Sequence, residues 1–126
     1  MKLRIKGDSL RIRVSPSEVA RLLEAGRVEE TIHFAPESGA CLTYALEHAP
    51  VRQEIGFRWR PQRVTVVLSS DKARSWAEGD QISIQGSFAV RDGELAILVE
   101  KDFACLDESH AENKDTFPNP NRGKVC

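Results

Sequence analysis

The chain has 126 residues, 40% of them hydrophobic and 29% charged, with a formal net charge of -1. That is one domain's worth of chain, long enough to bury a core without staples, and ordinary in composition for a globular protein. A near-neutral total excludes a global field that would draw in nucleic acid or an anionic membrane.

The charge is nevertheless uneven. Lys2, Arg4, Lys6, Arg11 and Arg13 crowd the first thirteen residues against Asp8 alone, while acids prevail from Glu100 onward. Leu3 and Ile5 alternate with the bases of residues 2–6, and Leu10, Ile12 and Val14 alternate with Arg11 and Arg13. The apolar phase switches from odd to even across Gly7-Asp8-Ser9. Since a one-residue slip would expose the whole apolar set, the chain must form a tight hairpin or one bulged strand there.

Ser15-Pro16-Ser17-Glu18 reads as a helix start with a capping box and proline in the first turn. Val19, Leu22 and Leu23 supply the helical stripe, and Gly26 the stop. A strand is expected from Val28 to Phe34, then a loop at Ala35–Gly39. Strands follow at Cys41–Leu46, at Ile55–Trp59 with Arg58 and Arg60 opposite, and at Val64–Leu68.

Ser69-Ser70-Asp71 caps a second short helix over Asp71–Ala77, with Ala73, Trp76 and Ala77 as its stripe and Gly79 as its stop. Gln81–Gln85 is the next expected strand. Phe88–Val90 and Leu95–Val99 flank Asp92-Gly93, a strong hairpin signal. The expected fold is therefore α+β and strand-dominated, with seven to nine short strands in a twisted antiparallel or mixed sheet or partly closed barrel. Residues 1–106 form one domain and 107–126 a mostly irregular tail, pinned by Phe117.

The helix-bearing stretch repeats. Val14-Ser15-Pro16-Ser17 aligns with Leu68-Ser69-Ser70-Asp71, Val19 with Ala73, and Leu22 with Trp76. The halves near 7–34 and 63–86 are thus candidates for an internal strand–helix–strand duplication. The expected core is Leu3, Ile5, Leu10, Ile12, Val14, Val19, Leu22, Leu23, Ile32, Phe34, Leu42, Tyr44, Ile55, Phe57, Val64, Val66, Trp76, Ile82, Ile84, Leu95, Ile97 and Val99.

The chemistry-bearing residues form two sets. Lys2, Arg4, Lys6, Arg11 and Arg13 could contact phosphates, or form the solvated face of an edge hairpin. Arg58, Arg60, Glu100 and Asp102 could line a ligand cleft between the halves. Arg58, Trp59, Arg60 and Arg63 would suit stacking on unpaired bases, although alternation favours a core Trp59. Asp102, Cys105, Asp107 and His110 match no structural zinc spacing, so neither metal nor cofactor is expected. Cys41 could pair with His33 or His48 only if folding joins them, and no catalytic residue is assigned.

Cys41, Cys105 and Cys126 form no disulfide pattern, no signal peptide is expected, and no run suits a membrane span. The expected compartment is the cytoplasm. The partner is open between protein and nucleic acid, and the state between monomer and homodimer.

Two resemblances attach to these residues. Met1 to Arg13, Trp76-Ala77-Glu78-Gly79-Asp80, Glu100 to Leu106 and Phe117-Pro118-Asn119-Pro120 look like a small family of uncharacterised bacterial proteins, which implies a bacterial cytosolic protein without assigned function. Gly7 to Ser15, with Val66–Ser69 and Glu78–Ile82, resembles swapped-hairpin DNA-binding domains of the AbrB/MazE type. Those are dimers with an interlaced sheet, so the resemblance implies a tandem pseudo-dimer here. Asp8 stands where that motif has Asn, and the motif is short. The leading functional expectation is a non-catalytic binding or regulatory module. The alternatives are a small ligand-binding barrel or enzyme using the cleft, and an AbrB-like DNA-binding pseudo-dimer.

Overall fold

The computed structural model describes residues 1–103 and 115–118. The phase switch at Gly7 is a hairpin turn between β1 (Lys2–Ile5) and β2 (Ser9–Val14). Gly7 takes φ +53°, a backbone that glycine adopts without a Cβ penalty. Lys6 N–H donates to the Ser9 carbonyl at 3.2 Å to close the turn.

Ser15 then caps α1 (Pro16–Ala25), its side chain accepting from Glu18 N–H while the Glu18 carboxylate accepts from Ser15 N–H. Val19 and Leu22 are the buried face of this helix, and Gly26 ends it in the left-handed conformation. The chain continues into the antiparallel pair β3 (Arg27–His33) and β4 (Cys41–Ala49). The same order then recurs: hairpin β5 (Ile55–Arg60) and β6 (Arg63–Ser69), helix α2 (Ser70–Glu78) capped by Ser69, and hairpin β7 (Ser83–Val90) and β8 (Gly93–Lys101).

The hairpins are distributed across two four-stranded sheets in an interlaced way. Sheet A has the order β1-β2-β8-β7 and sheet B the order β3-β4-β6-β5. Each sheet thus joins one hairpin from the first half of the chain to one from the second. The join is a parallel central pair, β2 with β8 and β4 with β6. The first hairpins of the two halves share one register: Arg4 opposite Arg11 and Ile5 opposite Leu10 match Arg58 opposite Thr65 and Trp59 opposite Val64.

The core lies where the inner faces of both sheets meet the helices. Ile12, Val14, Ile84, Ile97 and Val99 of sheet A join Val28, Leu46, Ile55, Val66 and Leu68 of sheet B, with Val19, Leu22, Ala73 and Trp76 from the helices. Trp76 is fully buried and its indole N–H donates to the Ile82 carbonyl at 3.1 Å. Gly86 of β7 lets the sheets close, because a Cβ there would lie 2.5 Å from Ile55 Cγ2. Phe117 packs on this core, pairs with Phe103 edge to face, and donates its N–H to the Asp102 carbonyl at 2.8 Å.

The architecture is α+β and strand-dominated, and its two mixed sheets do not close into a barrel. Several expected core residues are corrected. Ile5, Ile32, Phe34 and Ile82 are exposed, as is Trp59 at 64%. They lie at or near strand ends or just beyond them, where alternation still marks a face but the side chain is left exposed. Gln81–Gln85 and Phe88–Val90 are not two strands, because β7 runs unbroken through Gly86. Most of the expected tail, 107–126, lies outside the described residues. Among the described residues, no helix is long and apolar enough to cross a membrane.

Candidate nucleic-acid interface

Register fixes which charges share a face. Lys2 and Arg4 on β1 stand opposite Arg13 and Arg11 on β2, and Arg13 is level with Glu100 on β8. Paired residues of neighbouring strands point to the same side. The basic alternation therefore meets Glu100 on the outer face of sheet A, away from the core.

There the two residue sets from the sequence partly merge. Glu100 Oε1 accepts from Arg11 Nε at 2.6 Å and lies 3.0 Å from Arg13 Nε. The second contact is an ion pair without hydrogen-bond alignment, since Arg13 Nε has no hydrogen-bond partner among the described residues. Asp102 lies 3.1 Å from Lys2 Nζ and 3.8 Å from Arg13 Nε. Glu100 and Asp102 are both buried at 8% exposure, and these cations hold them there. Arg4 and Lys6 have no ion pair among the described residues and stay free toward the hairpin tip.

Arg58 and Arg60 lie elsewhere, on β5 at the edge of sheet B, and do not share a cluster with Glu100 and Asp102. Arg58 Nη2 and Arg27 Nη1 both donate to Glu47 Oε1, at 2.7 and 2.6 Å. Arg60 stands opposite Arg63, and its guanidinium donates to the Trp59 carbonyl at 2.8 Å. Phe57, Arg58, Trp59, Arg60 and Pro61 line an open cleft of about 410 Å³. Asp102 instead borders a polar hollow of about 430 Å³ with Lys2, Arg13, Glu18, Arg21 and Glu30.

That hollow holds the terminal ammonium of Met1, which pairs with Glu18 and, at 3.3 Å, with Glu30. Burial opposes ionisation of Glu18. The ammonium and the Ser15 hydrogen bonds outweigh it and hold the carboxyl below its usual value. The Arg27 hydrogen bond likewise lowers Glu29, and the Ser17 hydroxyl lowers Asp115. Burial and then the Glu30 carboxylate raise Tyr44.

Sequence reasoning missed Glu47 and Arg27. The signal was present in the repeat, since Leu46-Glu47 sits level with Val66-Val67 as Val99-Glu100 sits level with Ile12-Arg13. Folding does place His33 directly opposite Cys41, while His48 Nδ1 is 2.8 Å from Ser70 Oγ. No group of three or more metal-ligating side chains occurs among the described residues. Cys105, Asp107 and His110 lie outside them.

Two outward sheet faces, each with arginines drawn around one glutamate and basic charge toward a hairpin tip, define an interlaced-hairpin α+β protein. The chain matches, over residues 1–121, the family described as a family of unknown function (DUF7009), and it belongs to that family. No curated protein and no solved structure matches it.

Proposed function

We propose that the protein is a non-catalytic, cytoplasmic binding module. In this reading it is a single-chain counterpart of the swapped-hairpin AbrB/MazE-type dimer, and it engages nucleic-acid phosphates through two basic hairpins. Residues 1–106 act as one unit in which each half lends a hairpin to the other's sheet, and the halves descend from a duplicated hairpin–helix–hairpin segment.

The observation that carries this reading is the interlaced order of the sheets together with the shared register of the β1–β2 and β5–β6 hairpins. Arg4 and Lys6 near one tip correspond to Arg58 and Arg60 near the other. Lys2, Arg11 and Arg13 widen the first basic face, and Glu100 and Asp102 hold those three side chains in place. Local fields at such faces attract phosphates even where the total charge is near zero, and counterion release then supplies affinity.

The test is binding to mixed-sequence duplex and single-stranded DNA as a function of salt. The informative variant is Arg4→Ala/Lys6→Ala/Arg60→Ala, because these side chains have no carboxylate partner among the described residues and their removal leaves Glu100 and Glu47 paired. Affinity should fall, and the slope of log K against log salt should flatten by about 0.7–0.9 for each phosphate that is no longer neutralised. Absence of binding at low salt sinks the reading.

A further inference from the structure

We propose that the tip of the β5–β6 hairpin is a stacking site for unpaired bases of single-stranded nucleic acid. Trp59 is the platform, and Arg60 and Arg63 are the phosphate contacts. This rests on the nucleic-acid reading above and names the form of nucleic acid that the second hairpin takes.

The first observation is the exposure of Trp59. An indole that alternation assigns to the core side stands 64% exposed, at the place where the first hairpin carries Ile5. Its open ring is large and flat, and any base can stack on such a surface. Phe57 and Pro61 border the same cleft of about 410 Å³.

The second observation is charge. Arg58 and Arg60 project to the opposite side of the same strand from Trp59, and Arg63 stands opposite Arg60. Arg58 is held by Glu47. Among the described residues Arg60 has no ion pair and Arg63 has none within 4.0 Å, although the Arg63 charge reaches Glu29 and helps lower that carboxyl. An apolar patch without such cations would suit a protein partner equally well. Arg60, bonded to the Trp59 carbonyl and not to a carboxylate, keeps its positive charge available and favours an anionic occupant.

The third observation is position. β5 is an edge strand of sheet B, and although Ile55 at its start packs against Gly86 of sheet A, Arg58, Trp59 and Arg60 toward its tip are exposed. A single strand has bases on one side and phosphates on the other. Running along this edge, it would lay a base on Trp59 and its phosphates on Arg60 and Arg63. In a duplex the base faces are already stacked on one another and cannot reach the ring.

The experiment compares fluorescein-labelled oligothymidylate with a mixed-sequence duplex at low salt, using wild type, Trp59→Ala, Trp59→Phe and Arg60→Ala. Trp59→Ala should weaken oligothymidylate binding about 5- to 150-fold and leave duplex binding unchanged, and Trp59→Phe should restore most of the loss. Arg60→Ala should weaken oligothymidylate binding and flatten its salt dependence. Unlabelled oligothymidylate should quench the emission of Trp59, whereas Trp76, fully buried, should not respond.

Equal oligothymidylate affinity in wild type and Trp59→Ala overturns the proposal. So does a Trp59→Ala variant that changes sedimentation mass and not affinity, which would mean a second copy covers this face. Wild-type binding to duplex alone overturns this inference and leaves the broader reading standing. Wild-type binding to neither probe overturns both.

Discussion

Glu47 and Glu100 occupy matching positions in the two sheets, and each draws two arginines together on an outer face. Glu100 does so with Arg11 and Arg13, Glu47 with Arg27 and Arg58. Only the glutamate is common to both. Arg11 and Arg13 sit on the strand parallel to that of Glu100, whereas Arg27 and Arg58 reach Glu47 from both edges of sheet B. Glu100→Gln should therefore strengthen phosphate binding by releasing Arg11 and Arg13. It should also lower folding stability by about 1–3 kcal/mol through the missing charged hydrogen bond. Urea denaturation and salt-dependent DNA binding on the same variant check both halves of that statement.

Acid should weaken the anchoring of the first helix. The folded-state value of Glu18 lies below 4.5, so its contribution is complete above that pH and declines as the pH falls through the lowered value. The urea midpoint of wild type should drop across that interval. Glu18→Gln should start lower and lose less. Ser15→Ala, which removes the other half of the capping box, should cost about 1 kcal/mol at neutral pH.

Lys101 gives the opposite case, a cation whose value is lowered. It is buried at 5% exposure, its ammonium donates to the Gly79 carbonyl at 2.9 Å, and it lies 6.0 and 5.4 Å from the Trp76 and Phe117 ring centroids. Burial lowers its pKa from 10.5, with Asp80 opposing. The unfolded chain then binds the extra proton between the two values, so stability should rise with pH up to about that of a free lysine. Subtracting the pH profile of Lys101→Met from that of wild type should reveal this rise, and a flat difference would refute it.

The close approach of the sheets makes Gly86 sensitive to a single methyl. Gly86→Ala would press on Ile55 Cγ2 and should destabilise by about 1–3 kcal/mol through overpacking. Ile55→Ala opens the same space at its own cost. The double variant should therefore be more stable than the sum of the two singles implies, with a coupling of at least about 0.5 kcal/mol.

Local signals carry far in this chain, and long-range ones do not. Ser15, Pro16, Glu18 and Gly26 mark α1 because each acts on its own backbone neighbours. Asp92-Gly93 marks its hairpin for the same reason, with Asp92 at φ 62°. Alternation identifies the inward faces but not how far along a strand the core reaches, so it assigns Ile5, Ile32, Phe34 and Trp59 to the interior. The parallel pairing of β2 with β8 has no local signature, since Arg11 and Glu100 are 89 residues apart. For that reason the basic set and the acids Glu100 and Asp102 look separate in the sequence, and Arg58 and Arg60 seem to belong with acids that the fold gives to Arg11, Arg13 and Lys2.

Interlacing also sets an order in time. All four strands of sheet B lie within 27–69, a continuous run of chain, whereas sheet A needs the first hairpin and the last. During synthesis sheet B can assemble as soon as β6 emerges, while β2 waits with an open edge until β8 is made. Pairing across that sequence distance bears a larger loop-closure cost and comes late. Pulse-labelled hydrogen exchange during refolding should find amides of β4 and β6 protected before those of β2 and β8. The reverse order would show that the first hairpin does not wait for its partner.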